Sequence, residues 1–130
     1  MSDANTLSRD EACQLVLDMM EMLVDPEKSD QARRYLTDSY IQHNPNIPSG
    51  IDAIIDFTRS ELAEKARDEM RPATDTPPKF VVEDNMIVMA LPRDLPDPHN
   101  PGETYRTWWF DMWRIEDGKL AEHWDGALKE

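Results

Sequence analysis

The sequence predicts an α+β fold in which three N-terminal helices pack on a curved antiparallel β-sheet. Residues 8–69 carry apolar side chains at helical spacing, whereas residues 79–127 contain aromatic and β-branched runs separated by turn dipeptides. Helices that precede strands in this way are typical of α+β domains. A sheet that curls around its helices encloses an apolar, cone-shaped interior, so a pocket is expected.

The length, charge and N-terminal composition indicate the number of domains, the expected location and the partners that are excluded. The 130 residues fit one domain, spanning positions 1–130. The net charge of −13, from 27 acidic and 14 basic side chains, repels nucleic acid phosphates and anionic membrane surfaces. The N-terminus is polar and acidic and lacks the basic flank and apolar run of a signal peptide. We therefore expect a soluble, cytoplasmic protein with neither a nucleic acid nor a membrane partner.

Three helices are predicted in the first half of the chain. Ser8 and Glu11 have the spacing of a capping box, and an apolar stripe at i, i+3, i+4 positions follows them. A second, shorter helix is predicted over residues 27–36. Ser49 is expected to cap a third helix that runs from about residue 50 to residue 69.

The segment between the second and third helices contains Pro45 and Pro48, which disfavour helical geometry at the residues before them. We therefore predict an irregular loop over residues 38–48, and such loops often hold functional side chains. This loop contains three candidate substrate-binding residues: Tyr40, His43 and Asn44.

Four strands are predicted in two hairpins. Residues 79–83 and 86–91 flank a two-residue turn at positions 84–85, and a proline-rich loop over residues 95–102 leads to a long third strand. The last hairpin has the strongest signal, because an Asp-Gly pair at positions 117–118 separates two strand-like runs.

Alternation along the last hairpin groups its polar residues. Side chains in a strand alternate between faces, so His123 and Asp125 share one face, and pairing brings Asp111 to the same level and face. Trp113 is expected to point inward with them. A polar cluster among so many aromatic side chains lies in a low-dielectric environment, which makes it the candidate reacting centre.

Two motifs extend this interpretation to a known family. Residues 40–45, YIQHNP, are followed by an apolar helix, and residues 110–119, FDMWRIEDGK, are followed by EHWD at 122–125. This combination resembles the SnoaL-like polyketide cyclases, a branch of the NTF2-like superfamily, over most of the chain.

The resemblance implies a dimeric α+β cone that closes a ring by an intramolecular aldol reaction without a cofactor. It also implies that an aspartate in the last strand is the general acid/base. Asp125 is similar in position to that aspartate, and His123 and Asp111 match neighbouring pocket positions. Asp111 stands where the cyclases carry histidine.

The chemistry expected of this cluster is proton transfer next to the carbonyl group of a small hydrophobic molecule. Asp125 would remove the proton and His123 would donate to the enolate oxygen. His43, Asn44, Tyr40 and Trp113 would bind the substrate. No cofactor is expected, and three scattered histidines without a cysteine cluster give no recognisable metal-ligand spacing.

Two other functions stay open at this point. One is a non-catalytic module that binds a small hydrophobic ligand. The other is an epoxide hydrolase-like enzyme, which in the same superfamily uses an Asp-Arg-Asp arrangement. Arg106 and Arg114 have the opposite parity to Asp111, so that arrangement is not evident in the sequence.

The outward side of the last hairpin predicts self-association. It carries Trp108, Phe110, Met112 and Trp124, a patch that is too apolar to leave exposed on a monomer. We therefore predict an isologous two-fold homodimer.

Overall fold

The computed structural model describes residues 7–129, so the first six residues of the polar N-terminal stretch lie outside the described part of the chain. It contains three α-helices and one 3₁₀ helix. They are α1 (Arg9–Leu23), the 3₁₀ helix (Ser29–Tyr35), α2 (Ile51–Thr58) and α3 (Glu61–Glu69). Within residues 7–129, none of the helices is both long enough and apolar enough to cross a membrane.

Six strands form one sheet. They are β1 (Leu36–Gln42), β2 (Arg71–Pro72), β3 (Lys79–Glu83), β4 (Met86–Pro96), β5 (Thr104–Glu116) and β6 (Lys119–Asp125). Their order is β1-β6-β5-β4-β2, and β3 pairs with β4 beside β2. The α+β prediction is confirmed. The prediction of a four-stranded, wholly antiparallel sheet is wrong, because β1 and β2 join the four predicted strands and β1 runs parallel to β6.

Helix α1 begins as predicted. The Ser8 side chain accepts a hydrogen bond from the Glu11 amide at 3.1 Å, and the Glu11 carboxylate accepts one from the Ser8 amide at 2.9 Å. This reciprocal cap satisfies two amides that the first turn leaves without helical partners. The stripe then buries Ala12, Val16 and Met19 against the sheet.

The other two helix predictions need correction. The second helix is a 3₁₀ helix, after which the chain becomes extended at Leu36. The third is two helices, because the Ser60 side chain caps a new helix by accepting from the Ala63 amide at 3.2 Å. Ser49 caps neither of them; its hydroxyl accepts a hydrogen bond from the Gln42 amide at 2.9 Å.

Strand β1 occupies the first part of the segment predicted to be a loop. Leu36 and Tyr40 are buried, and Gln42 is aligned with His123 of β6 in parallel register. The two prolines follow the strand and do not interrupt it. Parallel strands need a partner that is distant in sequence, so the local pattern did not reveal this pairing.

The last hairpin has the predicted alignment of its polar residues, which it reaches through a one-residue register shift between Arg114 and Ile115. Asp111 is aligned with Asp125, and Trp113 is aligned with His123. The turn residues Asp117 and Gly118 have φ values of 52° and 75°, as a type I′ turn requires. The inward side chains of this hairpin meet those of α1, α2, β1 and β4 in a single core.

Gly118 provides a test of this turn. Because its φ lies in the left-handed region, Gly118→Ala is expected to lower the free energy of unfolding by about 1 kcal/mol. Gly126→Ala is the matched control, since Gly126 has no such φ and no atom lies within 4 Å of an added Cβ. Urea denaturation of both variants measures the difference, and equal stability would contradict a left-handed turn at Gly118.

Candidate functional site

The inner face of the last hairpin holds a buried polar cluster formed by Asp111, His123 and Asp125. Asp111 and His123 each expose 8% of their surface. His123 Nε2 lies 2.8 Å from Asp111 Oδ1 and 4.0 Å from Asp125 Oδ2. The three residues that the sequence predicted as catalytic are therefore brought together on one face.

Gln42 joins this cluster through β1, and it was missed in the sequence. Its side-chain oxygen accepts a hydrogen bond from the Asn44 amide at 3.0 Å and lies 2.7 Å from His123 Nδ1. The backbone amide fixes which end of the Gln42 side chain is the oxygen, because only an acceptor can face it. His123 Nδ1 must then carry a proton and donate it to Gln42.

This assignment determines what lies between His123 and Asp111. With a proton on Nδ1, a neutral imidazole presents the lone pair of Nε2 toward the carboxylate, and two acceptors do not meet at 2.8 Å. A second proton must therefore lie between Nε2 and Asp111 Oδ1. The pair is either an imidazolium with a carboxylate or an imidazole with a carboxylic acid, and in both cases it holds one transferable proton.

Asp125 is held differently. Its Oδ2 accepts a hydrogen bond from Asn44 Nδ2 at 2.9 Å, and its Oδ1 accepts one from the Ala127 amide at 3.0 Å. Both partners are neutral donors, so both oxygens of Asp125 act as hydrogen-bond acceptors. The two aspartates thus have different partners. Asp111 shares a proton with His123, whereas Asp125 accepts hydrogen bonds from neutral donors.

Tyr40 and Trp113 form an apolar wall beside the cluster. They expose 3% and 2% of their surface, and the Trp113 ring centroid lies 5.2 Å from that of His123. Burial raises the pKa of the Tyr40 hydroxyl, a hydrogen bond with Trp113 lowers it in part, and the nearby Asp111 and Asp125 carboxylates add to the increase. Trp113 Nε1 is buried and interacts with the Tyr40 hydroxyl.

The structure places His43 apart from this cluster. Its ring stacks on Trp124, with 4.9 Å between centroids and 6° between planes, and its Nε2 lies 2.7 Å from Glu122 Oε2. Glu122 also accepts a hydrogen bond from Arg114 Nε at 2.9 Å. These residues lie on the outer face of the sheet, because His43 follows Gln42 by one position. The expected substrate-binding role of His43 does not fit that location.

The arginines of β4 and β5 fall into two groups. Arg106 bonds to Asp94 and Asp75, and Arg114 to Glu122 and Glu116, so neither reaches Asp111, as the parity predicted. Arg93, which the sequence interpretation overlooked, lies on the inner face, where burial lowers its pKa and the Asp111 carboxylate partly offsets this decrease. Its Nη1 donates a hydrogen bond to the Met70 carbonyl.

The same cluster contains the atoms that a metal ion would need. One ligand atom each from Asp111, His123 and Asp125 lies within 4.8 Å of the others. Asp and His side chains are hard-to-borderline donors that suit several divalent metals. The 2.8 Å separation of Nε2 and Asp111 Oδ1 is also that of a hydrogen bond, which the proton count above requires.

The outer face carries the apolar residues predicted to mediate association. Val88, Met112 and Trp124 are aligned across three neighbouring strands, and Phe110 is 59% exposed beside them. An open depression of about 290 Å³ lies over this row, lined by Val88, Phe110, Asp111, Met112, Trp124, Asp125 and Gly126.

Comparison with known proteins finds similarity at the level of structure. No protein-family model and no curated protein matches the sequence. TsrD from Streptomyces laurentii is 24% identical over 92% of this chain and 90% of its own, with a TM-score of 0.57. An NTF2-like protein from Burkholderia xenovorans LB400 is 15% identical over 89% of this chain and 88% of its own, with a TM-score of 0.61.

Two further similar structures show how much can be concluded from this structural similarity. One is a candidate polyketide cyclase from Xanthomonas campestris pv. campestris, 18% identical over 88% of both chains, with a TM-score of 0.59. The other is a de novo designed NTF2 fold protein, also 18% identical, which covers 92% of this chain and 85% of its own, with a TM-score of 0.56. Because a designed protein matches as well as a natural one, these similarities establish the fold alone.

The outer-face cluster of His43, Glu122 and Arg114 predicts a pH-dependent stability. Hydrogen bonds from His43 and Arg114 hold the pKa of the Glu122 carboxyl below its ordinary value. A carboxyl with a lowered folded-state pKa stabilises the fold above its unfolded pKa, and this stabilisation is lost as the pH falls through the folded pKa.

Glu122→Gln is therefore expected to lower the free energy of unfolding by up to about 1 kcal/mol at pH 7, with the difference from the parent vanishing in acid. Urea titrations between pH 7 and pH 3 measure this. Glu103→Gln, at an exposed glutamate without a basic partner among residues 7–129, is the control. A Glu122 effect that persists unchanged at pH 3 would count against the ionic origin.

Proposed function

The chain has the NTF2-like fold, and we propose that it is a cofactor-free SnoaL-like enzyme that transfers a proton next to the carbonyl group of a lipophilic compound. The observation that supports this most is the placement of protons in the buried cluster. His123 shares a proton with Asp111, while Asp125, 4.0 Å from the same imidazole nitrogen, is supported as a carboxylate by two neutral donors. An acid and a base thus stand side by side on an apolar face.

In the first step, the Asp125 carboxylate removes a proton from the carbon beside the carbonyl group. The C–H bond breaks, its electron pair forms the enolate, and the proton remains on Asp125. The proton held by His123 and Asp111 moves to the enolate oxygen. Positioned acid/base groups of this kind contribute about 10²- to 10⁴-fold to the rate.

The second step distinguishes two reactions. In an isomerisation, the proton on Asp125 moves to a different carbon of the same molecule, and the enol O–H proton returns to the His123–Asp111 pair as the carbonyl group forms again. In an aldol-type ring closure, the enol carbon attacks a second carbonyl group of the substrate. The enol O–H proton returns to the His123–Asp111 pair as the first carbonyl group forms again, and the new alkoxide takes the proton from Asp125. Tyr40 and Trp113 would exclude water from the reactive enolate in either case.

The two alternatives make different demands on the same residues. A hydrophobic binding module would need the apolar wall but not the shared proton. An epoxide hydrolase-like enzyme would need an arginine between two aspartates, and Arg93 hydrogen-bonds to the Met70 carbonyl instead of to Asp111 or Asp125. The proton arrangement around His123 therefore favours proton transfer.

We also propose that the outer face associates with a second copy of the chain. Trp108 and Phe110 are 37% and 59% exposed, and Val81, on the neighbouring β3, is 66% exposed. An apolar surface of this kind on one side of a sheet is typical of an interface. A two-fold axis would pair the patch with itself.

Hydrogen exchange at carbon provides the test of proton transfer. The protein is incubated in heavy water with a panel of lipophilic ketones and β-dicarbonyl compounds, and deuterium uptake at the α-carbon is followed by mass spectrometry. Asp125→Asn is expected to slow the exchange by about 10²-fold or more, because an amide cannot accept the proton.

Asp38→Asn serves as the matched control, since Asp38 is an exposed aspartate on the same sheet. Circular dichroism establishes that both variants fold. Saturable binding of the panel compounds without any exchange would support the binding module and reject the proposed enzyme.

The proposed dimer is tested by placing a charge in the patch. Phe110→Glu is expected to convert a dimer of about 30 kDa into a monomer, because a buried unpaired carboxylate is costly. Sedimentation velocity at micromolar concentrations measures the mass, and Tyr105→Glu on the same strand, nearer its exposed end, is the control. A parent protein that sediments as a monomer would contradict the proposal.

A further inference from the structure

Arg93 occupies an unusual position on the inner face of the sheet. The pairing of β4 with β5 aligns Met89 with Asp111, and four residues further along it aligns Arg93 with Thr107. Ile87 and Met89 are buried on this face, and Arg93 has the same parity along β4. The arginine therefore lies on the same side of the sheet as the polar cluster, nearer the opposite end of the strands.

The Arg93 guanidinium has no acidic partner within residues 7–129. None of the ion pairs of this part of the chain involves it. Its Nη1 donates to the Met70 carbonyl, while its Nε is buried without a hydrogen-bond partner. Arg106 and Arg114, by contrast, each bind two carboxylates on the surface. A half-buried cation without a counter-ion is costly unless a ligand neutralises it.

The surface between Arg93 and the cluster is apolar and accessible. Leu91 and Trp109 are aligned with each other between the two sites, and both are only half-buried. Met89, next to Asp111, is almost fully buried. Exposure therefore increases from the cluster toward the Arg93 end, so a ligand would enter at that end and pass over Leu91 and Trp109 to reach His123.

We propose that Arg93 binds the anionic group of the substrate, which would make the substrate a lipophilic oxo acid. This inference rests on the proposed function, because it places the reacting carbonyl at His123. Four residues of a strand span about 14 Å, and the arginine side chain shortens this distance, so the carboxylate and the carbonyl group of the ligand are separated by about 10 Å.

The charges along the inner face would orient such a ligand. Asp111 and Asp125 repel a carboxylate at the polar cluster, and Arg93 attracts one at the open end. Burial lowers the pKa of the Arg93 guanidinium and the Asp111 carboxylate acts in the opposite direction, but arginine stays charged at physiological pH. The overall charge of −13 disfavours non-specific binding of anions, so any preference for them must arise locally.

A matched pair of probes tests the proposal. The probes are 9-oxodecanoate, whose two functional groups are about 10 Å apart when extended, and its methyl ester, which has the same body without the charge. The parent protein is expected to bind the oxo acid at least about tenfold more tightly than the ester, because a hydrogen bond to a charged group contributes about 1.5 kcal/mol or more. Isothermal titration calorimetry measures both dissociation constants.

Arg93→Met keeps the apolar stem of the side chain and removes the charged guanidinium, so it is expected to abolish the preference while leaving ester binding within about twofold. Arg114→Met, which removes a cation from the outer face, should retain the preference. A role of Arg93 limited to stabilising the fold would weaken the two probes equally. Arg93→Lys, which keeps the charge, is compared if Arg93→Met does not fold, and it should keep part of the preference.

The outcomes for binding and for catalysis are separable. Equal affinity for the two probes in the parent protein, or no saturable binding of the oxo acid at about 1 mM, overturns the assignment of Arg93. Exchange at the α-carbon of neutral ketones without any preference for the oxo acid rejects the Arg93 site and leaves the proposed proton transfer standing. A preference for the oxo acid without exchange supports the Arg93 site and rejects the proposed proton transfer.

Discussion

The parallel pairing of β1 with β6 is the constraint on which the polar cluster depends. It aligns Gln42 with His123, and the ladder continues one residue further through the His43 amide, which donates to the His123 carbonyl at 3.0 Å. The chain then turns so that Asn44 reaches Asp125. Without this pairing, both His123 Nδ1 and Asp125 Oδ2 would lose their partners in a buried environment, where an unsatisfied polar group costs about 1–3 kcal/mol.

Backbone amides determine the orientation of both amide side chains in the cluster. The Asn44 amide fixes the oxygen of Gln42, and the Asn46 amide donates to Asn44 Oδ1 at 2.9 Å. Asn44 must therefore present its nitrogen to Asp125, and Gln42 must present its oxygen to His123. The protonation pattern of the cluster is thus imposed by the path of the main chain between β1 and α2, and the side chains need no rearrangement to adopt it. Preorganisation of this kind is what electrostatic catalysis requires.

The sequence predicted those features that local rules control. The Asp117-Gly118 turn was predicted correctly, but regular pairing from that turn would align Asp111 with Trp124. A one-residue register shift between Arg114 and Ile115 moves the alignment to Asp125, and it is this irregularity that places Asp111 with His123 and Asp125. The capping box of α1 was equally local. Strand β1 was missed because its partner lies about 80 positions later, and Gln42 was missed with it. Arg93 was overlooked because β4 is longer than its apolar core suggested, and His43 was misplaced because a loop has no parity from which to assign a face.

Strand alternation divides each of the two polar motifs between the faces of the sheet. Gln42 and Asn44 contribute to the inner cluster, while His43 between them lies outside, stacked on Trp124. In the second motif, His123 and Asp125 point inward and Glu122 and Trp124 point outward. Residues that are adjacent in the sequence therefore belong to different surfaces, one suited to chemistry and the other to association. A substitution at His43 or Glu122 acts first on the outer surface, and its effect on the inner cluster must pass through the backbone of two paired strands. A shared motif is thus evidence for the paired strands and their alternation, and the chemistry must be argued from the inward residues alone.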